Sequence, residues 1–169
     1  MNAAHLHLVI NHLPIIGACL SLPLVALILW RRSDRGLILA AALTLVLTGV
    51  GALAALQTGE PAEEMVEHLP GTAESLIEPH EERAEVAAGL AVATALGALV
   101  VLGVAWRREG PLPVSLLATL LVASVATSGA MAWTGKAGGM IRHPEIRGEG
   151  GGVAAAITPY GTSESDSED

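Results

Sequence analysis

The sequence predicts an all-α protein, an integral-membrane four-helix bundle. Three observations carry this. The runs 8–30, 36–57, 86–106 and 112–133 are almost free of charge, and each exceeds or matches the ~20 apolar residues needed to cross ~30 Å of hydrocarbon. The connections after the first and third runs are short and begin with Trp-Arg-Arg. All six histidines, His5, His7, His12, His68, His80 and His143, fall at the opposite end of the runs from those arginines. A soluble bundle would have to hide four such runs within 169 residues, which a single water-facing domain of this size does not do.

The first span, 8–30, is preceded by His5 and His7 and carries His12 in its first turns. Counting ~20 residues outward from Trp30 at ~1.5 Å per residue sets His12 just inside the hydrocarbon boundary, with His7 and His5 further out. His5 and His12 are seven apart and share a helix face. His7 points elsewhere unless Pro14, which cannot donate to Ile10, distorts that turn. The second span is 36–57. The connection beyond it holds nine Glu and one Arg between residues 57 and 85. Short helices are expected in the 57–80 stretch. Thr58 or Gly59 would cap one with Pro61 in its first turn and Glu64 and His68 on one face. The third span, 80–106, is expected to start at Pro79, with Glu81 and Glu82 favouring the positive helix end. The fourth covers 112–135. Gly89, Ala93 and Gly97, Gly51 and Ala55, and Ser124 and Ser128 form small-residue ridges that would let backbones approach. Helix packing alone explains such ridges; making room for a flat macrocycle is the functional alternative. Residues 1–147 form the membrane domain, and 148–169, Gly-rich and then acidic, a solvated tail.

Orientation follows from Arg31, Arg32, Arg35, Arg107 and Arg108 on the two short connections, which the positive-inside rule makes cytoplasmic. Lys136, Arg142 and Arg147 oppose this but do not flank short loops. Both termini and the histidines are therefore expected on the periplasmic side of a bacterial inner membrane. No charged n-region with a cleavage site is read at the N-terminus. The single Cys19 leaves no disulfide and no covalent c-type haem attachment. The net charge of −8 makes nucleic acid an unsuitable partner.

The halves also resemble each other. At a shift of 76 residues, Trp30-Arg31-Arg32 meets Trp106-Arg107-Arg108, Leu45-Val46 meets Leu121-Val122, and Thr58-Gly59 meets Thr134-Gly135. One residue off that register, His5 meets His80 and His68 meets His143. Two duplicated helical hairpins would place His5 and His80 symmetrically on the diagonal first and third spans. Chance agreement between low-complexity apolar segments is the alternative.

The stretch His7-Leu8-Val9-Ile10-Asn11-His12-Leu13-Pro14-Ile15 resembles the opening of an uncharacterised family of small four-span bacterial membrane proteins. That family begins with a histidine and has His-Phe-Pro-Ile five residues later. It carries a histidine at the start of its third helix, here His80. A Gly-Gly segment and a histidine close its fourth, here Gly138-Gly139 and His143. The likeness covers about residues 5–143. Leu13 replaces the family's aromatic, and Leu8 stands where proline often follows the first histidine. His5, His68 and the acids between Glu60 and Glu85 lie outside the pattern. Members are sometimes fused to Rieske, rubredoxin or cytochrome c domains, so the resemblance implies redox company and favours haem over a metal store.

Three functions are weighed. The first is an electron-transfer subunit holding b-type haem near the periplasmic face and meeting a redox partner protein there. His12 and His80 are its leading axial pair, with His7 or His5 able to replace His12 and His143 available to a second site. Bis-histidine ligation saturates the iron. The second is a site for zinc, iron or copper, drawing on Glu60, Glu64, Glu67, His68, Glu78, His80 and Glu81. The third is a cofactor-free subunit of a larger respiratory or photosynthetic complex, or a homo-oligomer. A lone interfacial histidine is usually a polar anchor; six at one end change that balance. No nucleophile–base constellation or nucleotide motif marks an enzyme, and no ionisable residue lies mid-span as a transporter would need. The topology is checked by labelling in a Cys19→Ser background. A membrane-impermeant thiol reagent added from the periplasm should modify Val66→Cys and spare Asp34→Cys; the reverse pattern inverts the topology.

Overall fold

The computed structural model describes residues 2–67, 74–143 and 146. Among them the chain forms helices α1 (Ala3–Ile10), α2 (His12–Trp30), α3 (Arg35–Val66), α4 (Glu74–Arg107) and α5 (Val114–Arg142), with no strand. α1 and α2 are one span with a turn at Asn11. Pro14 supplies no N–H to the Ile10 carbonyl, yet Asn11 keeps right-handed dihedrals (φ −64°, ψ −20°), so the axis continues. Asn2 caps α1, its Oδ1 accepting from the His5 N–H at 2.9 Å. Asp34 caps α3 by accepting from the Leu37 N–H at 3.0 Å. All four spans, Ala3–Trp30 and α3 to α5, are long and apolar enough to cross a membrane. Trp30 and Trp106 stand exposed at one end of the bundle and Trp133 near the other, the usual levels of aromatic anchors.

α2, α3, α4 and α5 pack in that order around a closed ring, α5 returning to α2, while α1 rests on α3. The first and third spans are thus diagonal. Every span turns a stripe spaced alternately three and four residues toward the axis. In α2 it is Pro14, Ala18, Ser21, Val25 and Ile28; in α4 it is Ala87, Ala91, Thr94, Ala98, Val101 and Ala105. A seven-residue repeat of this kind is the signature of left-handed packing. The core changes along the axis. At the arginine end it is built from larger side chains such as Ile28, Ile38, Leu45, Leu117 and Leu120. At the histidine end it is mostly alanine: Ala18, Ala52, Ala87, Ala88 and Ala91, with Met131.

A belt of buried hydroxyls, Ser21, Thr48, Thr94, Ser124 and Thr127, lies between these regions. Each bonds within the protein. Thr94 and Thr127 meet at 2.9 Å across α4 and α5, and Ser128 donates to the Ala18 carbonyl at 3.2 Å across α5 and α2. Such interhelical bonds contribute about 0.6–2 kcal/mol each in membranes.

Three sequence expectations need correction. α3 runs unbroken through Pro61 to Val66, so no separate short helix starts at Thr58 or Gly59. α4 already includes Glu74, which puts Pro79 inside the helix rather than at its first position. Both prolines lie near the ends of these long helices, where one lost bond is tolerated by the turns around it. The Gly89–Ala93 ridge faces outward, and a Cβ on Gly89 would meet nothing within 4 Å. Close approaches between helices include Gly51 of the expected ridge, where a Cβ would lie 3.0 Å from Leu13, Gly49, where it would lie 3.0 Å from Ala95, and Gly17, where it would collide with Thr48 Oγ1. His68 and the 148–169 tail lie outside the described residues.

Gly17 therefore sets the distance between α2 and α3. Thr48 is held by its own bond to the Thr44 carbonyl at 2.8 Å and cannot yield freely. Gly17→Val should lower the thermal midpoint in detergent, with an overpacking cost of ~1–3 kcal/mol. Gly89→Ala should leave the midpoint unchanged or raise it, because helix propensity favours alanine. Equal effects at both positions would remove Gly17 from the packing argument.

Candidate functional site

The buried stripe of the first span continues outward from Pro14 to Asn11 and His7, again at three- and four-residue steps. That register puts His7, half-buried, on the inner face of α1. Its Nδ1 lies 3.0 Å from Thr58 Oγ1 on α3. The Thr58 hydroxyl proton is directed at the Ala54 carbonyl, 3.0 Å away, with Ala55 at 3.1 Å. With that proton so placed the Thr58 oxygen can accept from the His7 ring, and the Ala55 carbonyl is a further acceptor for it.

His80, also half-buried, extends the α4 stripe outward from Ala87 and Ala84. Its Nδ1 lies 3.1 Å from the Thr134 carbonyl of α5. A carbonyl only accepts, so this ring carries its proton on Nδ1. The ring lies against Gly138, where a Cβ would come within 3.0 Å of Cε1 and 3.2 Å of Nδ1. Only glycine lets the imidazole lie so close to α5. His7 and His80 are near enough to interact electrostatically. Two half-buried imidazoles from diagonal spans thus lie at the histidine end, each with its Nδ1 placed against an oxygen of a neighbouring helix. Histidines that ligate metals are commonly fixed this way through the other ring nitrogen.

Two further polar atoms belong to this end of the bundle. Asn11 Oδ1 and Thr134 Oγ1 are buried without a hydrogen-bond partner. Asn11 lies one turn from His7 on the same face, and Thr134 is the residue whose carbonyl holds His80. Buried polar atoms in native proteins are normally paired, so these two are available to a bound group or to water.

The other sequence candidates lie elsewhere. The structure does not bring His12 to His80: His12 is exposed, and its Nδ1 donates to the Leu8 carbonyl of the preceding turn. His5 shares that outward face whereas His80 is half-buried, so the two lie on diagonal spans but not at the equivalent positions that duplication would give them. His143 is exposed at the C-cap of α5, its N–H donating to the Gly139 carbonyl. Glu60, Glu64, Glu78 and Glu81 are exposed. No group of three His, Cys, Asp or Glu suited to a metal ion forms among the described residues. His68 lies outside them. Thr58, Thr134, Asn11 and Gly138 are site residues that sequence reasoning did not single out in these roles. The stripe spacing 7, 11, 14, 18 was the available signal for Asn11 and for preferring His7.

Comparisons with protein-family models, curated proteins and solved structures give no match for this chain.

Beyond the histidines, at the rim, α3 and α4 bring Glu63 to Glu81. Hydrogen bonding with the Glu81 carboxyl holds the Glu63 carboxyl above the usual range, helped by partial burial and by the negative charges of Glu81, Glu67 and Glu74. A raised acid stabilises the fold below its ordinary value of about 4.5, and that contribution is lost as pH rises through the raised value. At neutral pH the pair repels. Glu63→Gln replaces the shared proton with a permanent amide donor. It should raise the thermal midpoint at pH 7 and flatten its dependence from pH 4.5 upward. An unchanged midpoint–pH slope would show that the pair does not couple α3 to α4.

Proposed function

We propose that the protein is a membrane electron-transfer subunit that binds b-type haem between His7 and His80. It would lie in a bacterial inner membrane with both termini and this site toward the periplasm, facing a redox partner protein there. The observation that supports the reading is the pair of half-buried imidazoles on diagonal spans, each with its Nδ1 against an oxygen of a neighbouring helix and the two close enough to interact electrostatically.

The donor set fits haem iron better than a bare cation. A zinc or copper ion asks for three or four protein ligands, and no group of three forms among the described residues. Haem iron asks the protein for only two, which His7 and His80 would supply. Glycines line both rings: Gly138 against His80, and Gly59, where a Cβ would sit 4.0 Å from His7 Cε1. The core beneath them is mostly alanine, with Met131 and the partly buried Leu56 as its larger side chains. Haem held by two imidazoles supplies a one-electron couple with a saturated iron, suited to electron transfer rather than oxygen binding. Thr58 and the Thr134 carbonyl would orient the two rings and raise their basicity through the Nδ1 bonds. His7 replaces His12 as the partner of His80 because the His12 ring lies on the outer face.

The test is an oxidised-minus-reduced absorption spectrum of detergent-purified protein made with adequate haem. A low-spin b-type spectrum is expected. His7→Ala and His80→Ala should each convert it to high spin or release the haem, while His12→Ala leaves it low-spin. Loss with His12→Ala but not His7→Ala would restore the His12–His80 pair. No Soret absorbance in the wild type would overturn the haem reading, and stoichiometric zinc or copper in that sample would favour the metal-ion alternative.

A further inference from the structure

The opposite end of the bundle carries a second candidate site, independent of the histidines. The connection from α2 to α3 and the connection from α4 to α5 are joined there by reciprocal hydrogen bonds. The Leu112 N–H donates to the Arg32 carbonyl at 3.1 Å, and the Arg32 guanidinium donates back to the Leu112 carbonyl at 3.2 Å. Leu112 is almost completely buried, which anchors the junction in the core. Gly110, at φ +113°, makes the turn that brings the second connection onto the first.

This junction encloses a cleft of about 230 Å³. Arg32, Arg35 and Arg108 line it, with the Ser33 hydroxyl, over a floor that includes Ile38 and Leu112. No carboxylate lines it. The acid closest in sequence to the first two arginines, Asp34, caps α3 and pairs with Arg31 at 3.7 Å. Arg32, Arg35 and Arg108 have no ion pair among the described residues. Exposed Trp30 and Trp106 stand at the same level, as side chains at a membrane–water boundary do. Arginines spread only to direct insertion need no shared concavity; here three from two connections converge on one.

We infer that this cleft is a phosphate site filled by the headgroup of an anionic phospholipid. Arginine is the side chain suited to planar, bidentate recognition of phosphate oxygens, and basic pockets between spans take such headgroups. The volume falls below the ~300 Å³ at which small-molecule pockets begin, so it suits a headgroup phosphate rather than a nucleotide. Acyl chains would follow the exposed leucines and valines of the adjoining spans, such as Leu27 and Leu39.

The test uses full-length delipidated protein in neutral detergent, with native mass spectrometry and thermal melts. Phosphatidylglycerol should remain bound and raise the melting midpoint, and phosphatidylcholine should do neither. The double variant Arg35→Gln/Arg108→Gln removes charge-assisted hydrogen bonds in the cleft and should bind phosphatidylglycerol at least about tenfold more weakly. The double variant Arg31→Gln/Arg107→Gln removes the same charge outside the cleft and should retain binding. A matching loss in that control would mean a diffuse basic surface and overturn the site. Equal protection by phosphatidylcholine would overturn it too. Equal protection by inorganic phosphate would overturn the headgroup assignment in favour of a soluble anion. A circular-dichroism melt without lipid establishes that both double variants remain folded.

Discussion

Inside a bilayer no water is available to satisfy a polar group, so each one on the inner face of a span must find its partner within the bundle. The closed ring of four spans meets that requirement layer by layer. In the middle, hydroxyls bond back to their own helices at i−4, as Thr48 and Ser124 do, or across to a neighbour, as Thr94 does to Thr127. Because these side chains are small, the backbones can come close, and α2 touches α3 at Gly17. At the histidine end the requirement is left partly open. Asn11 Oδ1 and Thr134 Oγ1 are buried but unpartnered, and two half-buried imidazoles lie beside them. The departure from internal satisfaction coincides with the residues best suited to hold a group from outside the chain.

The packing explains why one end is suited to this and the other is not. Ile28, Ile38, Leu45, Leu117 and Leu120 fill the arginine half with large side chains, which locks the spans in register. Alanines occupy the histidine half. Alanine lets helices approach, but it contributes little volume of its own, so side chains from the diagonal spans can meet near the axis. A substitution of Gly138 by any larger residue would press on the His80 ring without disturbing the distant aliphatic core. Stability and ligand geometry therefore depend on different layers.

The number and order of the spans were legible in the sequence because uncharged runs of this length have one main interpretation. The inner faces were not legible by hydrophobicity, since lipid-facing and core-facing positions are both apolar. Side-chain size separates them instead: Leu96, Leu99 and Val100 of α4 are exposed, whereas Ala91, Ala95 and Ala98 are buried. Reading His5 and His12 as a shared face was geometrically correct, but that face looks outward. The extended reach of α3 was hidden by Pro61, a residue that ordinarily signals a helix start and here lies within a helix already supported by its earlier turns. His80 at the entrance of the third span was legible; its contacts were not, because Thr134 and Gly138 are more than fifty residues away in sequence.

The two ends also differ in net charge, although the histidine end carries Arg83, Lys136 and Arg142 among its acids and the arginine end Asp34 and Glu109 among its arginines. The connections at the arginine end carry Arg31, Arg32, Arg35, Arg107 and Arg108, and the helices at the other end project Glu60, Glu63, Glu64, Glu67, Glu78, Glu81 and Glu82. An acidic rim around the histidine pair creates a negative potential beyond it. Such a field attracts a basic docking surface and repels an acidic one, and long-range steering of this kind acts chiefly on the rate of encounter. A partner docking on this rim would thus be selected by charge, and more through its rate of approach than through its affinity.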